Sequence, residues 1–299
     1  MPNPAPPSTA DGWHHEDVLA GGVRLHVVRA GRGPGVVLLH GFPECWYSWR
    51  YQIGALADAG FSVIAPDMRG FNTSEKPHGV RAYEIETLVA DVVALVDRTC
   101  EGRAFLVGHD WGGIVAWYAA MRHPERFAKL VILNAPHPAA FARDFWTTRQ
   151  WIHSLYAFLF QVPRLPEALI RARDWRALDE VFRREVYNPD AFAHGEFTHY
   201  KEAMGQPGAL TSALHYYRAA LRRSRRVGVS DVRPIEVPTL LLWGERDPHL
   251  RTSLAVGLER WVKDLTVKRV PEAGHWLQLD EPEMVAREMI GFFAATTGR

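Results

Sequence analysis

Val107-Gly108-His109-Asp110-Trp111-Gly112-Gly113 is the stretch on which the fold turns. Its spacing is that of G-x-S-x-G, a sharp strand-to-helix elbow whose glycines leave room for the bend and whose central side chain is exposed. The central residue here is Asp110 rather than serine. The flanks agree with an elbow: Phe105-Leu106-Val107 ends an apolar run that reads as a buried strand, and Gly112 to Met121 reads as a helix packed by small residues. Aspartate is also a favoured helix N-cap, so this residue alone admits a purely structural reading.

The exchange of serine for aspartate changes which bond is within reach. A serine oxygen attacking a saturated carbon leaves an ether that water does not cleave. A carboxylate leaves an alkyl ester, which an oxyanion hole and a base can hydrolyse. The expected substrate carbon is therefore saturated and carries a leaving group, an epoxide oxygen or a halide.

Outward from the elbow, strand and helix patterns alternate. Strands are expected at Arg24–Arg29, Gly35–His40, Phe61–Pro66, Phe105–Gly108, Leu130–Leu133, Pro238–Trp243 and Leu265–Val270. Helices are expected at Tyr83–Cys100, where Leu88, Val92, Leu95 and Val96 recur at helical spacing, and from Pro282 to Ala295. This order predicts an α/β fold with a mostly parallel sheet covered on both faces. Between residues 137 and 229 the strand signal disappears and the segment is aromatic, arginine-rich and helical, broken by prolines. The predicted organisation is a core of residues 1–136 (with 1–18 a loose tail), a helical cap at 137–229 over the ligand crevice, and a second core part at 230–299.

Composition narrows the classes. The 299 residues carry 35 basic and 34 acidic side chains, so no global field recruits nucleic acid or an anionic membrane. Two cysteines, Cys45 and Cys100, are too few for a disulfide framework and fit a reducing compartment. The proline-rich amino terminus lacks the apolar core of a signal peptide, and no run approaches a membrane span, so a cytoplasmic protein is expected. His14-His15-Glu16 and the pair His194 and His199 lack the geometry of a helical zinc site, so neither metal nor cofactor is expected. Arg222, Arg223, Arg225 and Arg226 read as a solvated surface.

Two further segments follow strands. Gly244-Glu245-Arg246-Asp247-Pro248 and Gly274-His275-Trp276 complete the chain order nucleophile, acid, histidine. Each alone reads equally as a turn or a core histidine; together with Asp110 they make a triad. His40-Gly41-Phe42-Pro43 follows an early strand and would set the Phe42 and Trp111 backbone N–H groups as an oxyanion hole, with His40, Pro43, Trp111 and Tyr216 as substrate-binding candidates.

HGFP at 40, the run DMRGFNTSEKP at 67 to 77, GHDWGG, GERD and AGHW, all in order, resemble the epoxide hydrolase branch of the α/β-hydrolase family. The resemblance covers nearly the whole chain except the tail. It implies Asp110 as nucleophile, His275 as the base for the hydrolytic water, Asp247 as its orienting acid, and two cap tyrosines donating to the epoxide oxygen. Tyr156, four residues before Phe160-Gln161-Val162-Pro163, matches the first tyrosine; Tyr217, which keeps the Tyr-Arg spacing, matches the second better than Tyr216. The expected partners are a small apolar epoxide and water, and a homo-oligomer is compatible with the chain. A haloalkane or haloacetate dehalogenase is the alternative with the same ester chemistry. Phe42 then stands where many haloalkane dehalogenases resemble one another in an asparagine, and the W-H-W-Y-F motif of haloacetate enzymes is missing. A noncatalytic receptor on the same scaffold is the alternative from another class.

Overall fold

In the computed structural model the described residues are 13–147, 149–188, 191, 195–224 and 232–295. Expectations for residues 1–12, His194, Arg225 and Arg226 lie outside them. The strands are β1 (His14–Ala20), β2 (Val23–Ala30), β3 (Gly35–Leu39), β4 (Ser62–Pro66), β5 (Ala104–His109), β6 (Phe127–Leu133), β7 (Thr239–Gly244) and β8 (Leu265–Val270). The core helices are α1 (Arg50–Asp58), α2 (Ile85–Thr99) and α3 (Asp110–Arg122). Between β6 and β7 come α4 (Pro138–Thr147), α5 (Gln150–His153), α6 (Leu155–Leu159), α7 (Leu165–Glu185, interrupted at Ala172–Trp175), α8 (Phe197–Gly205) and α9 (Ala209–Ser224). The chain closes with α10 (Leu277–Asp280) and α11 (Pro282–Ala294).

The eight strands form one sheet in the order β1-β2-β4-β3-β5-β6-β7-β8. Only the β1–β2 and β2–β4 pairs are antiparallel. The central strands are apolar throughout because both faces are covered: every residue of β3 and of β7 is buried. At the edge, β8 alternates between half-buried and exposed residues. One expectation is corrected here. Residues 14–18, placed in a loose tail, belong to β1, which pairs along its whole length with β2. An edge strand of sequence HHEDVLA buries too little to leave an apolar signature.

The topology places a crevice. After β3 the chain moves to one side to form β4, then crosses back to lay β5 on the other side of β3. The strand order therefore reverses between β3 and β5, and in open parallel sheets ligands bind outside the carboxyl ends at that switch point. The loops leaving β3 and β5 carry Phe42 and Asp110. The cap helices leave from the same edge, because β6 runs parallel to β5 and ends there. Among the described residues no helix is long and apolar enough to cross a membrane.

Candidate active site

The elbow between β5 and α3 is tight enough to require its glycines. A Cβ on Gly112 would sit 2.2 Å from the Leu39 carbonyl oxygen, and one on Gly108 2.5 Å from the Gly112 oxygen. Asp110 itself holds φ at +48°, a conformation that side chains other than glycine rarely adopt and that lifts its carboxylate off the sheet edge. The loop after β3 closes against it: a Cβ on Gly41 would lie 2.5 Å from the Asp110 Cβ. That approach lets the Phe42 N–H donate to Asp110 Oδ1 at 2.8 Å. Trp111 is the second residue of α3, where a backbone N–H has no acceptor within the helix.

The other oxygen faces the histidine. Asp110 Oδ2 is 3.7 Å from His275 Nε2, and His275 Nδ1 is 2.7 Å from Asp247 Oδ2. The Asp247 carboxylate is fully buried and also accepts from the His249 and Leu250 N–H groups and from Asn134 Nδ2. Burial opposes its charge, but His275, His249 and Asn134 outweigh that and hold it below the usual carboxylate range. Burial likewise opposes an imidazolium at His275, and the Asp247 and Asp110 carboxylates outweigh it, holding the imidazole well above its ordinary value.

The cap supplies an aromatic wall. The Tyr217 ring lies 5.0 Å from Trp111, 5.5 Å from Phe42, 5.8 Å from Tyr156 and 5.0 Å from Phe160, centroid to centroid. Burial first, and then neighbouring negative charge including Asp110, pushes both the Tyr156 and Tyr217 phenols up, so both are neutral donors. Arg218 explains why the two cap segments meet. Buried in α9, it donates to the Phe160 and Val162 carbonyls and pairs with Glu167 at 2.9 Å. This pins the stretch after Tyr156 beside Tyr217.

The structure thus brings together Asp110, Asp247, His275, Phe42, Trp111, Tyr156 and Tyr217. Two substrate-binding candidates are corrected. His40 is fully buried, its Nδ1 bonded to the Gly41 carbonyl and its Nε2 accepting from the Met68 N–H, so it braces the loop and does not face a ligand. Tyr216 is one position from Tyr217 on α9, about 100° around the helix, and its hydroxyl donates to the Arg69 carbonyl at 2.8 Å instead of reaching Asp110. Pro43 is buried, after a cis peptide bond from Phe42.

Residues 34–282 match the family described as alpha/beta hydrolase fold. The chain belongs to the alpha/beta hydrolase fold family. Within it, the chain is 41% identical over 279 residues to AB hydrolase superfamily protein YfhM of Bacillus subtilis (strain 168), covering 92% of this chain and 96% of that one. It is 38% identical to Epoxide hydrolase 3 of Xenopus tropicalis, covering 93% of this chain and 77% of that one. Among solved structures, a Bacillus megaterium epoxide hydrolase in complex with an inhibitor superposes with a TM-score of 0.84 at 29% identity, covering 94% of this chain and 100% of that one. These similarities place the chain in the epoxide hydrolase branch of the family.

Several side chains of this hydrolase site escaped the sequence reading. Asn134, directly after β6 with φ at +38°, donates Nδ2 to Asp247 Oδ2 at 2.8 Å and accepts the Gly244 N–H on its Oδ1 at 2.8 Å. Asp280 accepts the Gly274 N–H and the Tyr187 and Asn188 N–H groups, joining the His275 loop to the end of α7. Beneath the site, buried Glu44 contacts His109 Nδ1 at 2.8 Å, and His109 Nε2 reaches the His275 carbonyl at 2.9 Å. An asparagine directly after a strand that borders β5 was the available signal for Asn134; Glu44 and His109 lie inside motifs already singled out.

Asn134→Gly keeps the positive φ accessible and removes only the amide. A hydrogen bond to a charged group is worth about 1.5–3 kcal/mol, so at least about a tenfold fall in kcat is expected. In the ester route that the sequence leads one to expect, single-turnover measurement should place the loss in ester hydrolysis; an unchanged hydrolysis rate would remove Asn134 from the positioning of Asp247.

Proposed function

We propose that this chain is an epoxide hydrolase, a hydrolase acting on ether bonds that opens an apolar epoxide to a vicinal diol through an alkyl ester on Asp110. The observation that carries the reading is one carboxylate, Asp110, within electrostatic reach of two buried, neutral phenols, Tyr156 and Tyr217, whose rings pack together, with Tyr217 on Trp111. An opening epoxide becomes an alkoxide and needs a proton donor; a departing halide does not. The names of the relatives support the same reaction class.

The steps follow from which oxygen faces what. Asp110 Oδ1 rests on the Phe42 N–H, leaving Oδ2 to attack the epoxide carbon. As the C–O bond breaks, the two buried phenols donate to the growing alkoxide, and their burial strengthens that donation. Water then adds to the ester carbonyl carbon while His275 Nε2 takes its proton. The negative oxygen that forms on Oδ1 is held by the Phe42 and Trp111 N–H groups. Collapse breaks the acyl–oxygen bond while the His275 imidazolium returns its proton to the departing oxygen, so Oδ2 leaves as a hydroxyl of the diol and the water oxygen enters the Asp110 carboxylate. Asp247 fixes the imidazole tautomer and balances the imidazolium.

The test is a set of three phenol deletions read by pre-steady-state alkylation. Tyr156→Phe and Tyr217→Phe should each slow alkylation by about 10²–10³-fold, the range in which one acid or oxyanion donor acts. Tyr216→Phe should leave alkylation near wild type and instead lower stability by about 1–3 kcal/mol, because the buried Arg69 carbonyl loses its donor. Alkylation unaffected by either of the first two would defeat the reading. Turnover of haloalkanes or fluoroacetate in preference to styrene oxide would favour a dehalogenase.

A further inference from the structure

The cap carries an apolar surface that the reaction does not use. Trp146, Ile152, Leu155, Phe158, Leu159 and Leu165 are each between 41% and 71% exposed. Five of the six fall on α5, α6 and the first turn of α7. On α6, Leu155, Phe158 and Leu159 share one outward face by their i, i+3, i+4 spacing, while Tyr156 on the other side belongs to the pocket wall. A single helix thus separates this surface from the reacting centre.

Its charge is one-sided. From residue 146 to residue 174 the exposed ionised side chains are Arg149, Arg164, Arg171 and Arg173 against one carboxylate, Asp174, which pairs with Lys201. The other carboxylate in that stretch, Glu167, is buried and held by Arg218. Apolar side chains interleaved with arginines that outnumber exposed carboxylates four to one form the composition of a surface that lies in a membrane interface. Self-association fits less well. A two-fold dimer through this patch would set four arginines of one copy toward those of the other, with one exposed carboxylate per copy, Asp174, that already pairs with Lys201.

We propose that this face of the cap docks peripherally on an anionic lipid bilayer, with Leu155, Phe158, Leu159 and Leu165 entering the headgroup boundary and the four arginines on lipid phosphates. Apolar epoxides partition into such a bilayer, and docking sets α6 between the lipid and Asp110. This use of the surface rests on the proposed reaction, but docking is measured without substrate, so failed docking and failed epoxide turnover are separate results.

The experiment is co-sedimentation of the full chain with vesicles of phosphatidylcholine alone or mixed with an equal part of phosphatidylglycerol. The chain should partition onto the mixed vesicles and not the neutral ones, and about 0.5 M salt should release much of it, since exposed charges are then screened within a few ångströms. Arg164→Gln with Arg171→Gln should lower the partition coefficient about 25-fold, at about fivefold per arginine. Phe158→Ser with Leu165→Ser should lower it at least about tenfold, with thermal unfolding and hydrolysis of a small water-soluble epoxide unchanged. No sedimentation, or equal sedimentation with neutral vesicles, overturns the proposal. So does light scattering that shows a dimer which the Phe158→Ser and Leu165→Ser chain dissociates, for the patch is then a self-interface.

Discussion

Asp110→Ala is expected to lower epoxide turnover at least about 10⁴-fold, the scale on which loss of one member of a nucleophile–base–acid set acts. The fold should survive. Alanine keeps the Cβ against which the Gly41 loop closes, and what is lost is a carboxylate that accepts the Phe42 N–H and faces His275. Alanine at φ of +48° adds a conformational cost of about 1–2 kcal/mol, so a small fall in melting temperature with intact circular dichroism is the companion result. Retained turnover in the folded variant would rule out the ester route. An independent readout follows the oxygen. In a single turnover in heavy-oxygen water, the wild-type diol should carry unlabelled oxygen from Asp110 Oδ2, and the label should appear in the Asp110 carboxylate. Full labelling of the first diol would mean that water attacks the epoxide directly.

Much of what was legible in this site follows strands buried on both faces. Such strands appear as short continuous apolar runs, and the loop that follows each is where a side chain can leave the sheet; this is why Phe42, Asp110 and Asp247 were readable, whereas His275 follows the half-exposed β8 and was read from Gly274-His275-Trp276 in its chain order. What failed was information carried by contacts far apart in sequence. Asn134 and Asp247 are 113 residues apart, and Asp280 reaches Tyr187 across 93. His40 sits in a recognised motif, yet its role is set by the Met68 N–H that occupies its Nε2, 28 residues away. The strand β1 was hidden for the opposite reason: its partner is adjacent, but its side chains are half in solvent and carry no apolar period. The choice of Tyr217 over Tyr216 came from a neighbour, Arg218, whose buried contacts with Phe160 and Val162 give that spacing a physical cause.

His275→Gln should separate the two halves of the reaction more sharply than any other change. In the proposed route, opening the epoxide calls on Asp110 and the phenols, whereas hydrolysing the ester calls on a base, and glutamine is not one. Mixed with a reactive epoxide, the variant should gain one substrate mass, and peptide mapping should place it on Asp110, while steady-state turnover falls at least about 10⁴-fold. Wild-type turnover would remove His275 as the base, and a label elsewhere would remove Asp110 as the nucleophile. The wild-type pH dependence tests the same assignment through its electrostatics. In the free enzyme burial disfavours the imidazolium, yet Asp247 and Asp110 together hold it well above the ordinary value of about 6.5. Forming the ester removes the charge of Asp110 and leaves Asp247 alone against burial, so the imidazole gives up its proton more readily when the base is needed. Because only the neutral imidazole accepts a proton from water, hydrolysis should rise with pH through this lowered value and level off above it. Its acid limb, measured in single turnovers, should therefore lie below the titration of His275 followed by nuclear magnetic resonance in the free enzyme. An acid limb at or above that titration would mean that the charge on Asp110 does not set the state of the base.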